Sequence, residues 1–132
     1  MITIPECYLT LGEHFLETDV FKAFGYFEEA ARSGSGKAAI KVAEYYEKLE
    51  KYKKAYEMLL LAAETNDEQY GEAAYKLGTY HEYGYAGLTK NCEKAYEYYA
   101  ASAASGYKLA KKKMPYEKIK KFMKAWKAMV VG

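Results

Sequence analysis

The stretch NCEKAYEYYAASAASG, residues 91–106, contains a spacing of small side chains that occurs three times in the chain. In each copy an alanine is followed by small residues at +7 and +8 and by glycine or asparagine at +11. The three copies are Ala23/Ala30/Ala31/Gly34, Ala55/Ala62/Ala63/Asn66 and Ala95/Ser102/Ala103/Gly106. A spacing repeated at a period of about 20–50 residues is typical of stacked structural repeats. Since such arrays present extended surfaces, the pattern favours binding over catalysis.

Each copy is predicted to be the second of two antiparallel helices. Ahead of each copy lies a bulky residue followed by a small one: Leu11-Gly12, Val42-Ala43 and Leu77-Gly78. Small side chains are needed where two helices cross, because larger ones would push the axes beyond the ~8–10 Å of packed helices.

Residues suited to helix ends flank these segments. Thr3 to Glu6 resembles a capping box, and Asp19 and Asn91 each lie four residues before the alanine that opens a copy, so we predict them to be N-caps. Gly34, Asn66 and Gly106 fall where a left-handed C-cap is expected. The first helix is therefore expected to end near Glu17 and the second to begin after Asp19.

The third repeat carries a family resemblance. Its pattern is Ala74-x-x-Leu77-Gly78-x-Tyr80-x-x-x-Gly84, a glycine-rich loop, Asn91-x-x-x-Ala95-x-x-Tyr98-Tyr99 and Ala103-x-x-Gly106. This pattern resembles a Sel-1-like repeat, and the two shorter copies resemble tetratricopeptide repeats of about 34 residues. The resemblance covers roughly residues 5–114. It implies a right-handed α-solenoid whose first helices line a concave face, in proteins that act as adaptors or scaffolds and are generally not enzymes.

The predicted fold is an all-α, α-α superhelix in a single domain, residues 1–132. A chain of 132 residues is long enough for one continuous core. The repeats are placed at about residues 5–34, 37–66 and 70–106, with a partial repeat and a capping helix at 107–131.

The bulk composition is that of a soluble globular chain. No apolar run approaches the roughly 18 residues of a membrane span. The first residues show no secretory signal, so a cytoplasmic location is expected. Cys7 and Cys92 have a spacing that suits neither zinc nor a redox pair, and they are interpreted as half-buried packing residues.

No motif in the chain predicts a reaction, a metal or a cofactor. Gly34-Ser35-Gly36-Lys37 lacks the first glycine, the Ser/Thr and the preceding strand of a phosphate-binding loop. His14 aligns with Tyr45 and Tyr80 and is predicted to pack in the core, whereas His81 has no second histidine at metal-binding spacing. The protein is therefore predicted not to be an enzyme.

A partner-binding face follows from the resemblance, at fixed offsets from the Leu-Gly landmark. The selected residues are Glu6, Leu9, Glu13, Leu16, Glu17, Lys37, Ile40, Glu44, Glu47, Lys48, Glu72, Tyr75, Thr79, Glu82 and Tyr83. They carry seven acids against two lysines, with apolar and aromatic side chains between. They predict a groove for a basic or amphipathic protein segment. The alternative is a solvated acidic face without a ligand.

The C-terminal segment is strongly basic. Residues 107–132 contain nine lysines and one acid, a net +8, which leaves −6 for the preceding 106 residues. The residues singled out are Lys118, Lys120, Lys121, Lys124, Trp126 and Lys127. Three interpretations stay open for helix 116–130: a cap on the end of the stack, a segment that binds an anionic membrane surface or a partner, and nucleic-acid contact, which the lack of arginine in the segment disfavours. A protein or peptide partner and a monomeric or weakly self-associating chain are expected.

Overall fold

All the regular structure within the residues described below is helical. A computed structural model describes residues 3–65, 68–113, 124 and 127–129. Seven α-helices are defined within these residues: α1 (Ile4–Phe15), α2 (Val20–Arg32), α3 (Gly36–Lys48), α4 (Tyr52–Thr65), α5 (Tyr70–Tyr83), α6 (Cys92–Ala104) and α7 (Lys108–Lys113). A short 3₁₀ turn, Tyr85–Gly87, lies between α5 and α6. The chain divides into two compact units, unit 1 (Met1–Tyr70) and unit 2 (Gly71–Gly132).

Side-chain caps fix the starts of α1, α2 and α6. Thr3 and Glu6 form a complete capping box at α1. The side chain of Asp19 accepts a hydrogen bond from the amide of Lys22 at 3.1 Å, and that of Asn91 accepts one from the amide of Lys94 at 3.0 Å. The predicted caps are thus confirmed, and each one satisfies a backbone N–H that has no partner inside the helix.

Two helix ends use the glycines that the spacing singled out. Gly34 after α2 has a φ of +110° and Gly106 after α6 has a φ of +97°. A side chain with a Cβ rarely adopts this conformation, so glycine is favoured here. The predicted C-cap Asn66 lies outside the described residues.

Small residues bring α1, α2 and α3 together in unit 1. Ala23, Ala30 and Ala31 on α2 are fully buried, as are Ala38, Ala39 and Ala43 on α3. A Cβ on Gly12 would overlap the ring of Phe27, which is itself fully buried. The steric reason inferred from the sequence therefore holds in this helix pair. The α1 helix can approach α2 this closely only because Gly12 has no side chain.

The core of unit 2 lies between α5 and α6. Leu77, Ala95 and Tyr99 are fully buried, and a Cβ on Gly78 would lie 2.7 Å from the Tyr99 ring. Ser102 is buried at the other end of the pair and donates to the carbonyl of Gly71 at 2.5 Å. The predicted loop between the two helices contains the 3₁₀ turn and ends where the amide of Asn91 donates to the carbonyl of His81 at 2.9 Å.

Three placements differ from the expectations. His14 is exposed, so its predicted packing role in the core is wrong. Phe15, whose ring stacks on Tyr26 at 5.8 Å, occupies the space over α2, and the His14 ring packs against the edge of Phe15 at 4.9 Å. Cys7 and Cys92 are also exposed rather than half-buried.

Candidate functional site

The predicted partner-binding residues of unit 1 lie mostly on the surface. Exposed residues are Glu6, Glu13, Leu16, Glu17, Lys37, Glu44 and Lys48, whereas Leu9 and Glu47 are half-buried. Ile40 is 5% exposed and belongs to the core. Lys37 of α3 lies 3.8 Å from the carboxylate of Glu13 on α1, so the structure brings these two predicted positions together.

The predicted residues of unit 2 are more deeply placed. Tyr83 is exposed, whereas Glu72, Tyr75, Thr79 and Glu82 are half-buried. The hydroxyl of Tyr99 donates to the carboxylate of Glu82 and lies 3.3 Å from the hydroxyl of Thr79. Two of the predicted side chains therefore satisfy a buried hydroxyl and hold α6 against α5.

Tyr75 is also tied to this core. Its ring contacts the rings of Tyr99 and Tyr107 at 5.4 and 5.5 Å. Because these contacts fix its ring, Tyr75 can present only part of its surface to a ligand. Whether the predicted set binds a partner stays a prediction.

A feature that the sequence reasoning missed is a groove along the seam between α2 and α3. The ring of Phe24 stacks on Tyr45 at 4.1 Å, and the amine of Lys41 lies 5.7 Å from the ring centre of Phe27. The cavity at this seam has a volume of about 400 Å³. The residues lining this seam groove are Leu16, Val20, Phe24, Phe27, Lys41, Glu44, Tyr45 and Lys48.

Apolar side chains at the groove are open to solvent. Leu16 is 38% exposed and Val20 is 45% exposed, and the neighbouring Phe21 is 86% exposed. The sequence signal was present, since Val20, Phe24 and Phe27 follow one another at the i, i+4, i+7 spacing of a single helix face. Only Phe27 is fully buried, and the other two leave apolar surface at the seam.

A hydrogen bond between side chains also joins α2 to α3. The hydroxyl of Tyr46 donates to the carboxylate of Glu28 at 2.5 Å, and Arg32 lies 3.9 Å from the same carboxyl group. The hydrogen bond to Glu28, followed by partial burial, raises the pKa of Tyr46 to about 12. Tyr46 therefore remains protonated at neutral pH and acts as a donor that fixes the two helices relative to one another.

His81 is the buried histidine of unit 2. It is 4% exposed, and its ring stacks on Tyr98 at 5.5 Å with the two planes 12° apart. Burial, followed by the charge of Lys94, lowers the pKa of His81 below its usual value. Among the described residues, no three His, Cys, Asp or Glu side chains lie together in a group that could hold a metal ion.

Most of the basic C-terminal segment lies outside the described residues. This applies to Lys118, Lys120, Lys121 and Trp126. Lys124 and Lys127 are helical and exposed. Within the described part of the chain, no helix combines the length and the apolar character that a bilayer crossing requires.

Comparison with protein families gives a match to each helical pair. The family model described as Sel1 repeat matches residues 7–35, 36–67 and 71–107. The chain belongs to the Sel1 repeat family. Sel1 repeat proteins generally serve as scaffolds for protein interactions and are typically non-enzymatic.

A solved structure supports the same fold. The chain is similar to the crystal structure of a Sel1 repeat protein from Oxalobacter formigenes, with a TM-score of 0.71 and 22% sequence identity. The likeness covers 81% of this chain but only 46% of that one, so this Sel1 repeat chain spans less than half the length of the protein it matches. A search of curated proteins gave no significant match. The family match and the structural likeness confirm the predicted fold class, an α-α superhelix of helix-turn-helix repeats.

Proposed function

We propose that this Sel1 repeat chain is a protein–protein interaction adaptor that binds a basic or amphipathic segment on the surface that the first helix of each repeat presents. The observation that supports this most directly is the exposure of four carboxylates of unit 1. They are Glu6, Glu13, Glu17 and Glu44, which we call the acidic face. A lysine- or arginine-bearing segment would meet a surface of opposite charge there, and this raises association rates and favours one orientation.

Apolar surface lies among these charges. Leu9 is half-buried and Leu16 is 38% exposed, so both offer area to a partner's apolar side chains. Lys37 already lies 3.8 Å from Glu13, an internal example of the pairing that a partner's amine would make. Charge sets the orientation of such a segment, while burial of apolar area supplies most of the affinity.

Unit 2, taken by itself, offers candidate contacts of a different chemistry. Thr79 and Glu82 are occupied with Tyr99, which leaves Glu72 and the exposed ring of Tyr83 as its candidate contacts. Tyr83 lies 5.8 Å from the ring of Tyr85, and the two are 50% and 39% exposed. A pair of partly exposed tyrosines suits a protein interface because each ring offers apolar area together with a polar hydroxyl.

The proposal is tested with two labelled peptides of about 18 residues, long enough to form a helix on binding. One carries leucines on one face and lysines on the other, and the second has glutamate at every lysine position. The variant is Glu13→Lys/Glu17→Lys. The matched control, Glu57→Lys/Glu64→Lys, makes the same charge change at two exposed positions of α4.

We expect the basic peptide to bind the wild-type chain and to lose about tenfold in affinity with the first variant, which corresponds to ~1.4 kcal/mol. The control variant should bind as the wild type does, and fluorescence anisotropy measures both. The affinity of the acidic peptide should not fall in the first variant. Unchanged affinity of the basic peptide in the first variant, or an equal loss in the control, would reject the acidic face as the binding surface.

A further inference from the structure

We propose that the seam groove of unit 1 binds one helical segment of a partner protein that carries two apolar side chains one turn apart and an acidic side chain at each end. This inference rests on the adaptor function above, but it assigns a second surface, which shares Leu16 and Glu44 with the first and prefers the opposite partner charge. The groove residues that carry it are Leu16, Val20, Phe24, Lys41, Tyr45 and Lys48.

The length of the groove suits about two turns of a helix. The ring contacts place Lys41 beside Phe27 and Tyr45 beside Phe24, so α2 and α3 run antiparallel along the seam. Lys41 and Lys48 are seven residues apart on α3, which is roughly 10 Å at ~1.5 Å per residue. The two amines therefore stand near opposite ends of the groove.

Much of the groove lining is apolar. The stacked rings of Phe24 and Tyr45 line it, and Leu16 and Val20, which also line it, are partly exposed. A volume of about 400 Å³ lies in the lower part of the ~300–1,000 Å³ range of ligand pockets. Two apolar anchors at i and i+4 on one helix are the usual way in which an amphipathic helix fills such a groove.

The charged residues that line the groove determine which charges a bound segment should carry. Within the described residues, no carboxylate oxygen lies within 4.0 Å of the Lys41 or Lys48 amine. Glu44 lies between them in sequence and lines the same groove. Its carboxylate disfavours an acid at the middle of a bound helix, whereas each lysine favours an acid near its own end. The preferred order along the segment is therefore acidic, apolar, apolar, acidic.

The test uses three synthetic helical peptides with a fluorescent label. The acid-flanked peptide has two leucines four residues apart with glutamates at both ends. The lysine-flanked peptide replaces those glutamates with lysine, and the anchorless peptide replaces both leucines with alanine. Because the lysine-flanked peptide can also bind the acidic face, the three peptides are compared on a chain that carries Glu13→Gln/Glu17→Gln, two positions that do not line the groove. On that chain we expect the acid-flanked peptide to bind at least about tenfold more tightly than either of the others.

Two variants of the full chain and one control variant locate the binding. Val20→Glu places a carboxylate in the groove at the first position of α2, where an acid suits the helix N-terminus and folding should be retained. It should weaken the acid-flanked peptide about tenfold or more. Lys41→Gln/Lys48→Gln keeps most of each side-chain stem and should abolish the preference for glutamate over lysine. Lys108→Gln/Lys111→Gln in unit 2 makes the same charge change outside the groove and should leave that preference intact.

Other outcomes would overturn the proposal. It fails if the lysine-flanked peptide binds as tightly as the acid-flanked one, or if Val20→Glu binds as the wild type does while circular dichroism shows it folded. A second copy of the chain is the occupant instead if the wild type dimerises at rising concentration, Val20→Glu stays monomeric, and no peptide binds. Because Glu13 and Glu17 do not line the groove, loss of the basic-peptide binding in the previous experiment can occur independently of any of these results.

Discussion

One core position of the second helix differs between the two units. Phe27 on α2 and Leu59 on α4 occupy it in unit 1, and Tyr99 on α6 occupies it in unit 2; each lies four residues after the alanine that opens its copy. All three side chains are fully buried. Only Tyr99 brings a hydroxyl group into the core, and this hydroxyl requires a hydrogen-bond partner there.

That hydroxyl changes the role of the first helix in unit 2. It engages Glu82 and Thr79, two of the positions that the sequence assigned to partner binding. The equivalent positions in the first repeat are Glu13 of α1 and Leu16, which directly follows α1. Both are exposed, and Phe27 of that repeat has no hydroxyl group to bond to them. The comparison shows that side chains at identical offsets in two repeats are not equally available to a partner. One polar atom in the core can form hydrogen bonds with neighbouring side chains that would otherwise be exposed.

The largest expected effect concerns one glycine in each unit at which two helices pack together. Gly78→Ala should destabilise the chain by about 2 kcal/mol, within the range for overpacked cores. Its new Cβ would lie 2.7 Å from the Tyr99 ring and 3.1 Å from the carbonyl oxygen of Ala95, and the backbone atom cannot rotate away. Gly12→Ala should have a smaller effect, because the atoms it meets all belong to the Phe27 ring.

The control for this pair is Gly25→Ala. Gly25 lies inside α2, and a Cβ there would meet nothing within 4 Å. This variant should gain up to about 1 kcal/mol from helix propensity alone. Urea unfolding monitored by circular dichroism measures all three, and a Gly78→Ala chain as stable as Gly25→Ala would show that α5 and α6 do not need the close approach.

Much of this architecture could be predicted from the sequence. The small-residue spacing indicated the helix pairs, and Asp19 and Asn91 marked where second helices begin, because steric limits and capping depend on local residue type. The hydroxyl of Tyr99 and its partners were not predicted. Aligning Phe27, Leu59 and Tyr99 shows that a hydroxyl enters the core, but not which side chains on the facing helix can reach it.

The misplacement of His14 and the unpredicted seam groove have a related cause. A helical repeat pattern predicts roughly which face of a helix is turned towards the core. Which of two adjacent side chains at the edge of that face packs against the neighbouring helix depends on their competition for the same space. Phe15 occupied it in place of His14. Val20 and Phe24 leave a cavity because the residues opposite them, Tyr45 and Lys48, do not fill the seam.

A second prediction addresses the Tyr99 hydroxyl directly. Tyr99→Phe should destabilise the chain by about 1.5 kcal/mol, since a hydrogen bond to a charged group contributes about 1.5–3 kcal/mol. This substitution would also give position 99 the residue type that unit 1 has at the equivalent position, Phe27. Glu82→Gln should give a smaller loss because an amide oxygen can still accept from the hydroxyl.

The double variant Tyr99→Phe/Glu82→Gln measures the coupling between the two groups. If the hydrogen bond carries the effect, the double variant should lose less stability than the sum of the two single losses, by about 0.5 kcal/mol or more. Strict additivity in urea unfolding would mean that Glu82 and Tyr99 stabilise the chain independently, and the contrast drawn between the two units would then lose its basis.

The smallest expected effect comes from the two histidines, one in each unit. Burial holds the pKa of His81 below its usual value, so the folded chain keeps this ring neutral while the unfolded chain binds a proton near pH ~6.5. The contribution of His81 to stability is therefore present above that pH and is lost as the pH falls through it towards the lower folded value. Thermal unfolding midpoints should drop between pH 7.5 and 5.5 for the wild type and drop less for His81→Phe, which retains a ring to stack on Tyr98. His14→Gln removes the exposed ring of unit 1, and its unfolding midpoint should change with pH as that of the wild type does. If the midpoints of all three chains change equally with pH, protonation of the buried His81 ring does not destabilise the folded chain.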